Sequence, residues 1–151
     1  MSCNGQQETV IKVVLDANQF VSALLLPASN PAKIIELVHQ GRISLAVSET
    51  IMEEIRRVLS YSKLKKLHGR SSSEIDRFMD QIEKIAVVTP GTLSIEAVPD
   101  DPSDDKYLVC AVEGEADFVI SGDHHLKDLK AFHGIPIVDP ATFLSIVSTQ
   151  D

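Results

Sequence analysis

Four acidic residues stand where apolar runs give way to polar chain, and together they could hold a cation. Asp16 directly follows VIKVVL, and Asp123 follows DFVIS after one glycine. Glu54 lies on the helical pattern after ISLAV, and Asp104 opens the helical pattern that contains YLVCAV. Carboxylates that meet at one place repel each other, so such a cluster is costly without a positive ion. An all-oxygen donor set suits Mg²⁺ or Mn²⁺ better than zinc, which favours nitrogen and sulfur. A centre of that kind lowers the pKa of water and clamps phosphoryl oxygens during in-line displacement. Each acid alone has a plainer reading. Asp16 can cap a helix, Glu54 can be an exposed helical Glu paired with Arg57, Asp104 can complement a helix dipole, and Asp123 can be a turn residue. Capping does not require all four to meet at one end of one sheet.

The elements that would position them follow from periodicity. VIKVVL (10–15) is short, β-branched and nearly continuous, the pattern of a buried strand. ISLAV, AVVT, DFVIS and PIV give further strands, with GTLSIEAV open between loop and strand. Helical patterns lie between them. QFVSALLL ends at Pro27; Asn30 caps PAKIIELVHQ, which carries Pro31 and stops at Gly41. Ser48 caps ETIMEEIRRVLS, with Ile51, Ile55, Val58 and Leu59 on one stripe. Glu54 flanks that stripe, whereas Glu53 falls on the solvent side. KLKKLH is a short basic helical piece, and Ser71 with Glu74 forms a capping box for EIDRFMDQIEKI. Ser103 starts a helix through DDKYLVCAVEG, HLKDLKAFH reads as helical up to Gly134, and Asp139-Pro140 opens a last helix, ATFLSIV. No hairpin signal joins two strands. The expected fold is therefore a three-layer α/β/α sandwich with a central parallel sheet. Ligands of such sheets sit at the carboxyl ends of the strands, where Asp16, Glu54 and Asp123 would converge.

Composition limits the alternatives. The 151 residues fit one domain, expected over residues 10–151 behind a disordered tail, residues 1–9. Apolar runs are too short for a membrane span, and the polar start is not a signal peptide. Two cysteines, Cys3 and Cys110, fit a reduced, cytoplasmic chain. The net charge of −8 disfavours bulk non-specific nucleic-acid binding. Yet Arg56, Arg57, Lys63, Lys65, Lys66 and Arg70 form a stretch without an acid; the rest of the chain has 8 basic residues against 22 acidic, a net of −14. A basic segment beside an acidic centre suits an anionic substrate, with a solvated helix face as the plainer reading. No phosphate-binding glycine loop, nucleophile elbow or Cys/His metal pattern is present. His124-His125 are adjacent and cannot share a helix face as ligands.

VVLDANQFVSALL, VSETIMEEIRRVL, DDPSDDKYLVCAVEGEADFVISGDHHLKDL and IPIVDPATFL together resemble a PIN domain. The similarity is to the prokaryotic branch related to VapC-type toxins of toxin–antitoxin systems, and it spans about Val10 to Val147. The resemblance implies a metal-dependent endoribonuclease with Asp16, Glu54, Asp104 and Asp123 as its acids. Asp16, Asp104 and Asp123 would bind Mg²⁺ or Mn²⁺, and Glu54 would hold the second side of the metal site or orient the attacking water. Asn18 and Ser121 take the supporting polar positions, and Glu53 and Asp105 are the adjacent alternatives. Arg56, Arg57, Lys63, Lys65 and Lys66 would contact RNA phosphates. Expected partners are RNA, a small antitoxin protein that blocks the site, and a second copy in a homodimer, with no membrane. Gln19 departs from the pattern, which prefers an apolar residue there. The competing readings are a non-catalytic PIN-like module that binds RNA or protein, and a carboxylate–metal phosphatase. A haloacid-dehalogenase-type phosphatase needs Asp-x-Asp, and Asn18 stands at its second acid. A receiver domain needs a late Lys where this chain has Asp139.

Overall fold

Strand β1 (Lys12–Leu15) is buried along Val13, Val14 and Leu15, as its unbroken apolar run requires. The computed structural model describes residues 10–61, 66, 69, 71–92 and 105–148. The expected N-terminal tail, most of KLKKLH and most of GTLSIEAV lie outside them. After β1 come α1 (Ala17–Leu25), α2 (Asn30–His39), β2 (Ser44–Ser48), α3 (Glu49–Leu59) and α4 (Ser72–Ile85). Then follow β3 (Ala86–Thr89), α5 (Asp105–Glu113), β4 (Phe118–Ile120) and α6 (His124–Lys127). Strands β5 (Ala131–Phe132) and β6 (Ile135–Val138) precede α7 (Pro140–Ser148).

The sheet order is β3-β2-β1-β4-β6-β5. All neighbours pair in parallel except β5 with β6. Helices cover both sides of this mostly parallel sheet. The chain lays β1, β2 and β3 outward in one direction, then returns to place β4 on the other side of β1. The reversal creates a topological switch point between β1 and β4, the usual ligand crevice of open α/β sheets.

Caps fix the helix starts. Ser48 accepts from Ile51 N–H, Ser71 and Glu74 form the reciprocal box, and Asp139 accepts from Thr142 N–H at 2.7 Å. Two boundaries differ from expectation. Ser29, not Asn30, caps α2, since its hydroxyl takes the Ala32 N–H. Helix α1 starts at Ala17, because Asp16 is its cap.

The larger correction concerns HLKDLKAFH. The helix is one short turn, His124–Lys127, and Ala131–Phe132 is a strand in an antiparallel hairpin with β6. His133 and Gly134 form the two-residue turn, with φ of 52° and 79°. Two successive positive φ values are what a right-twisted hairpin demands, and Gly meets one at no steric cost. The sheet thus carries one antiparallel edge that the sequence pattern hid.

Gly114 closes α5 against the sheet. A methyl group there would lie 3.0 Å from Ala46 Cβ, 3.1 Å from the Cys110 carbonyl and 3.3 Å from Thr89 Cγ2. Cys110 is a free thiol, and burial pushes its pKa up to about 11. Among the described residues no single helix is long and apolar enough to cross a membrane; α1 and α2 pass that test only as a pair bent by 96°. Both contribute to the core through Phe20, Val21, Ile34 and Val38.

Candidate active site

The end of β1 meets the end of β4 in register, Leu15 opposite Ile120. The next residue of each strand is polar, Asp16 and Ser121, and both are buried, at 4% and 0% exposure. Asp16 N–H donates to the Ile120 carbonyl at 3.2 Å, which extends the ladder by one bond. Asp16 Oδ1 accepts the Gln19 N–H at 3.1 Å, so the carboxylate does cap α1. Its other oxygen, Oδ2, accepts a short hydrogen bond from the Ser121 hydroxyl. Ser121 Oγ in turn accepts the Asp123 N–H at 2.9 Å. One serine therefore ties both aspartates to the switch point. Capping and clustering are not rival explanations of Asp16, because its two oxygens serve them separately.

Burial raises the pKa of Asp16 above the usual carboxylate range, and the nearby charge of Asp123 pushes the same way. The Ser121 hydroxyl, the Gln19 N–H and the Gln19 carboxamide oppose this by stabilising the charged form. An anion held in place by fixed donors, next to a second acid, gains most from a cation.

Helix α5 reaches the same end of the sheet. The Tyr107 hydroxyl accepts the Ala17 N–H at 3.0 Å in a buried contact, next to Asp16 in sequence. Lys106, one residue earlier, places Nζ 2.5 Å from Glu54 Oε1 of α3. The two side chains are only 14% and 22% exposed. The ion pair is close, yet Glu54 Oε1 has no partner in hydrogen-bond geometry. Glu53 is exposed, and Glu54 is half-buried. Asp104 lies outside the described residues, immediately before the start of α5 at Asp105. Asn18 is exposed on the first turn of α1. Sequence reasoning missed Tyr107, Lys106 and the inward carboxamide of Gln19. Only the unusual polarity of Gln19 signalled any of the three.

Donor chemistry fits a hard divalent cation. Asp16 and Asp123 supply carboxylate oxygens, and the two buried side-chain oxygens left without a hydrogen-bond partner, among the described residues, are Gln19 Oε1 and Glu54 Oε1. Among those residues no three His, Cys, Asp or Glu side chains come together as a ready metal cage. Asp104 is not among them. The basic segment is partly neutralised through space, since Arg56 pairs with Asp76 of α4. Arg57 and Lys66 are exposed, and Lys63 and Lys65 lie outside the described residues. The His124-His125 pair opens α6.

The PIN domain model matches residues 12–125. An uncharacterized protein of Methanocaldococcus jannaschii is 31% identical over 120 residues, which cover 80% of this chain and 76% of that protein. Among solved structures, a chain in the crystal structure of VapBC2 from Rickettsia felis, bound to a DNA fragment from its promoter, has a similar fold. Its TM-score is 0.55 at 14% identity, covering 84% of this chain and 97% of that one. The family match contains Asp16, Glu54, Asp104 and Asp123, all four acids singled out by their places after strands and at helix starts. The chain belongs to the PIN domain family.

Proposed function

We propose that this chain is a Mg²⁺- or Mn²⁺-dependent endoribonuclease. The observation that carries the reading is the Asp16–Ser121–Asp123 linkage at the switch point of a PIN-family sheet. Asp16 and Asp123, together with Asp104, would hold the ion. When bound, the ion acidifies water and offsets charge on the phosphoryl oxygens. Ser121 keeps Asp16 aimed and charged, and Tyr107 holds the start of α1, so neither element needs to rearrange. Glu54 holds the far side of the site or orients the attacking water. Arg57, Lys63, Lys65 and Lys66 would contact backbone phosphates, and Arg56 would do so once released from Asp76.

The likeness to a chain of VapBC2 supports a toxin role in a toxin–antitoxin pair, with a small antitoxin protein that blocks the acids, for instance through an inserted Arg. A cytoplasmic homodimer fits that role. The test is cleavage of a labelled single-stranded RNA by protein stripped with EDTA, with Mn²⁺ or Mg²⁺ added back and single-stranded DNA of the same sequence as control. Cleavage of RNA that returns only with the metal is expected. Metal-independent cleavage, or none under any condition, contradicts the proposal.

A further inference from the structure

Gln19 is 6% exposed, in the first turn of α1, beside buried Phe20 and Val21. An apolar residue would fill this position without penalty, whereas a buried carboxamide must satisfy two N–H donors and an oxygen acceptor. Its amide nitrogen faces the acid site: a methyl group on Gly122, between Ser121 and Asp123, would lie 3.7 Å from Gln19 Nε2. The Gln19 backbone N–H donates to Asp16 Oδ1 at 3.1 Å, which fixes the residue beside that carboxylate. The carboxamide oxygen, Oε1, is buried and has no hydrogen-bond partner. The side chain thus packs beside Gly122, between Ser121 and Asp123 in the chain, and keeps its acceptor oxygen buried and unused.

An unused buried acceptor calls for a reason. A neutral oxygen on a buried side chain whose backbone N–H already holds Asp16 can add affinity for a hydrated cation without adding negative charge to the site. We propose that Gln19 is a positioning residue of the acid site, its Oε1 reserved for a divalent cation bound there or for that cation's water. The inference rests on the metal-dependent reading above and extends the site to a buried residue in the first turn of α1.

The test compares full-length wild type, Gln19→Met and Gln19→Glu by Mn²⁺ calorimetry and by thermal unfolding in EDTA. Loss of a partner just outside the ligands weakens metal binding on the order of tenfold or more. Gln19→Met is therefore expected to bind Mn²⁺ about tenfold more weakly, yet to melt in EDTA no lower than wild type, because the unpaired oxygen is gone. Gln19→Glu is expected to bind Mn²⁺ more tightly and to melt lower in EDTA. A purely structural glutamine gives a different result, a lower melting temperature and weaker binding together, and that overturns the inference. Wild-type affinity in Gln19→Met overturns it as well. If Gln19→Met does not fold, Gln19→Glu decides: tighter binding supports the role, and unchanged or weaker binding rejects it. A wild type that binds no Mn²⁺ refutes the metal reading and this inference with it. A wild type that binds while Gln19→Met binds equally well refutes this inference alone.

Discussion

Replacing Lys106 by Met removes the ammonium from the contact with Glu54 and keeps most of the side-chain volume. The cost follows from burial. Unit charges 4 Å apart attract by about 4 kcal/mol at an effective dielectric constant of 20. Exposed pairs yield about 0–1 kcal/mol, and breaking a buried pair costs about 3–5 kcal/mol. With side chains 14% and 22% exposed, this pair lies nearer the buried limit. Lys106 is the second residue of α5, where the helix dipole disfavours a cation, which returns roughly 0.3–1 kcal/mol. Lys106→Met should therefore destabilise the metal-free protein by about 2–3 kcal/mol. In a chain of this length that lowers Tm by about 5–10 °C. Thermal unfolding in EDTA measures it. The double variant Glu54→Gln/Lys106→Met should recover at least about 1 kcal/mol relative to the sum of the singles, because Glu54 is then no longer a half-buried charge deprived of its ammonium. A single variant within about 0.5 kcal/mol of wild type, or an additive double variant, would mean that the Lys106–Glu54 pair contributes little to stability.

Three further outcomes are expected. Asp16 has a raised pKa in the folded chain, so its contribution to stability is fully present below the ordinary carboxylate pKa and is lost as pH rises through the raised value. Asp16→Asn in EDTA should accordingly melt above wild type at neutral pH, with the gap closing toward acid; a gap independent of pH contradicts this. Gly114→Ala should cost about 1–3 kcal/mol by urea unfolding, since the new methyl would press on Ala46 and on the Cys110 carbonyl; a neutral effect means that the packing yields. Replacing Lys63, Lys65 and Lys66 together with Gln should raise KM for RNA and leave turnover at saturation nearly unchanged. If all three touch phosphates, the slope of log affinity against log salt becomes shallower by about 2; an unchanged slope makes the segment a solvated surface.

Much of this was legible locally. β-Branched runs marked β1 and β2, and Ser48, Ser71 with Glu74, and Asp139 announced their helices, because caps and periodicity act within a few residues. The alternation of strands and helices also implied which strand ends would meet, and so placed Asp16 near Asp123. The hairpin escaped because β5 is two residues long and Leu126 and Leu129 mimic a helical stripe. His133-Gly134 was its only local mark, weaker than Asn-Gly. Lys106–Glu54 and Ala17–Tyr107 were not legible at all, since only the packing of α5 at the sheet edge joins residues 52 and 90 positions apart. Tyr107 looked like one more core residue in YLVCAV, and its hydroxyl partner is a backbone N–H that no sequence pattern marks.

In the proposed metal-dependent ribonuclease, Asp16 and Asp123 form the reacting centre. Single-turnover cleavage of one labelled RNA by wild type, Asp16→Asn and Asp123→Asn in Mn²⁺ tests this assignment most directly, with circular dichroism to verify that each variant is folded. Both variants should fold, lose cleavage by at least about a hundredfold, as expected when a group central to catalysis is removed, and bind Mn²⁺ more weakly. Either variant cleaving at the wild-type rate while folded would contradict the assignment.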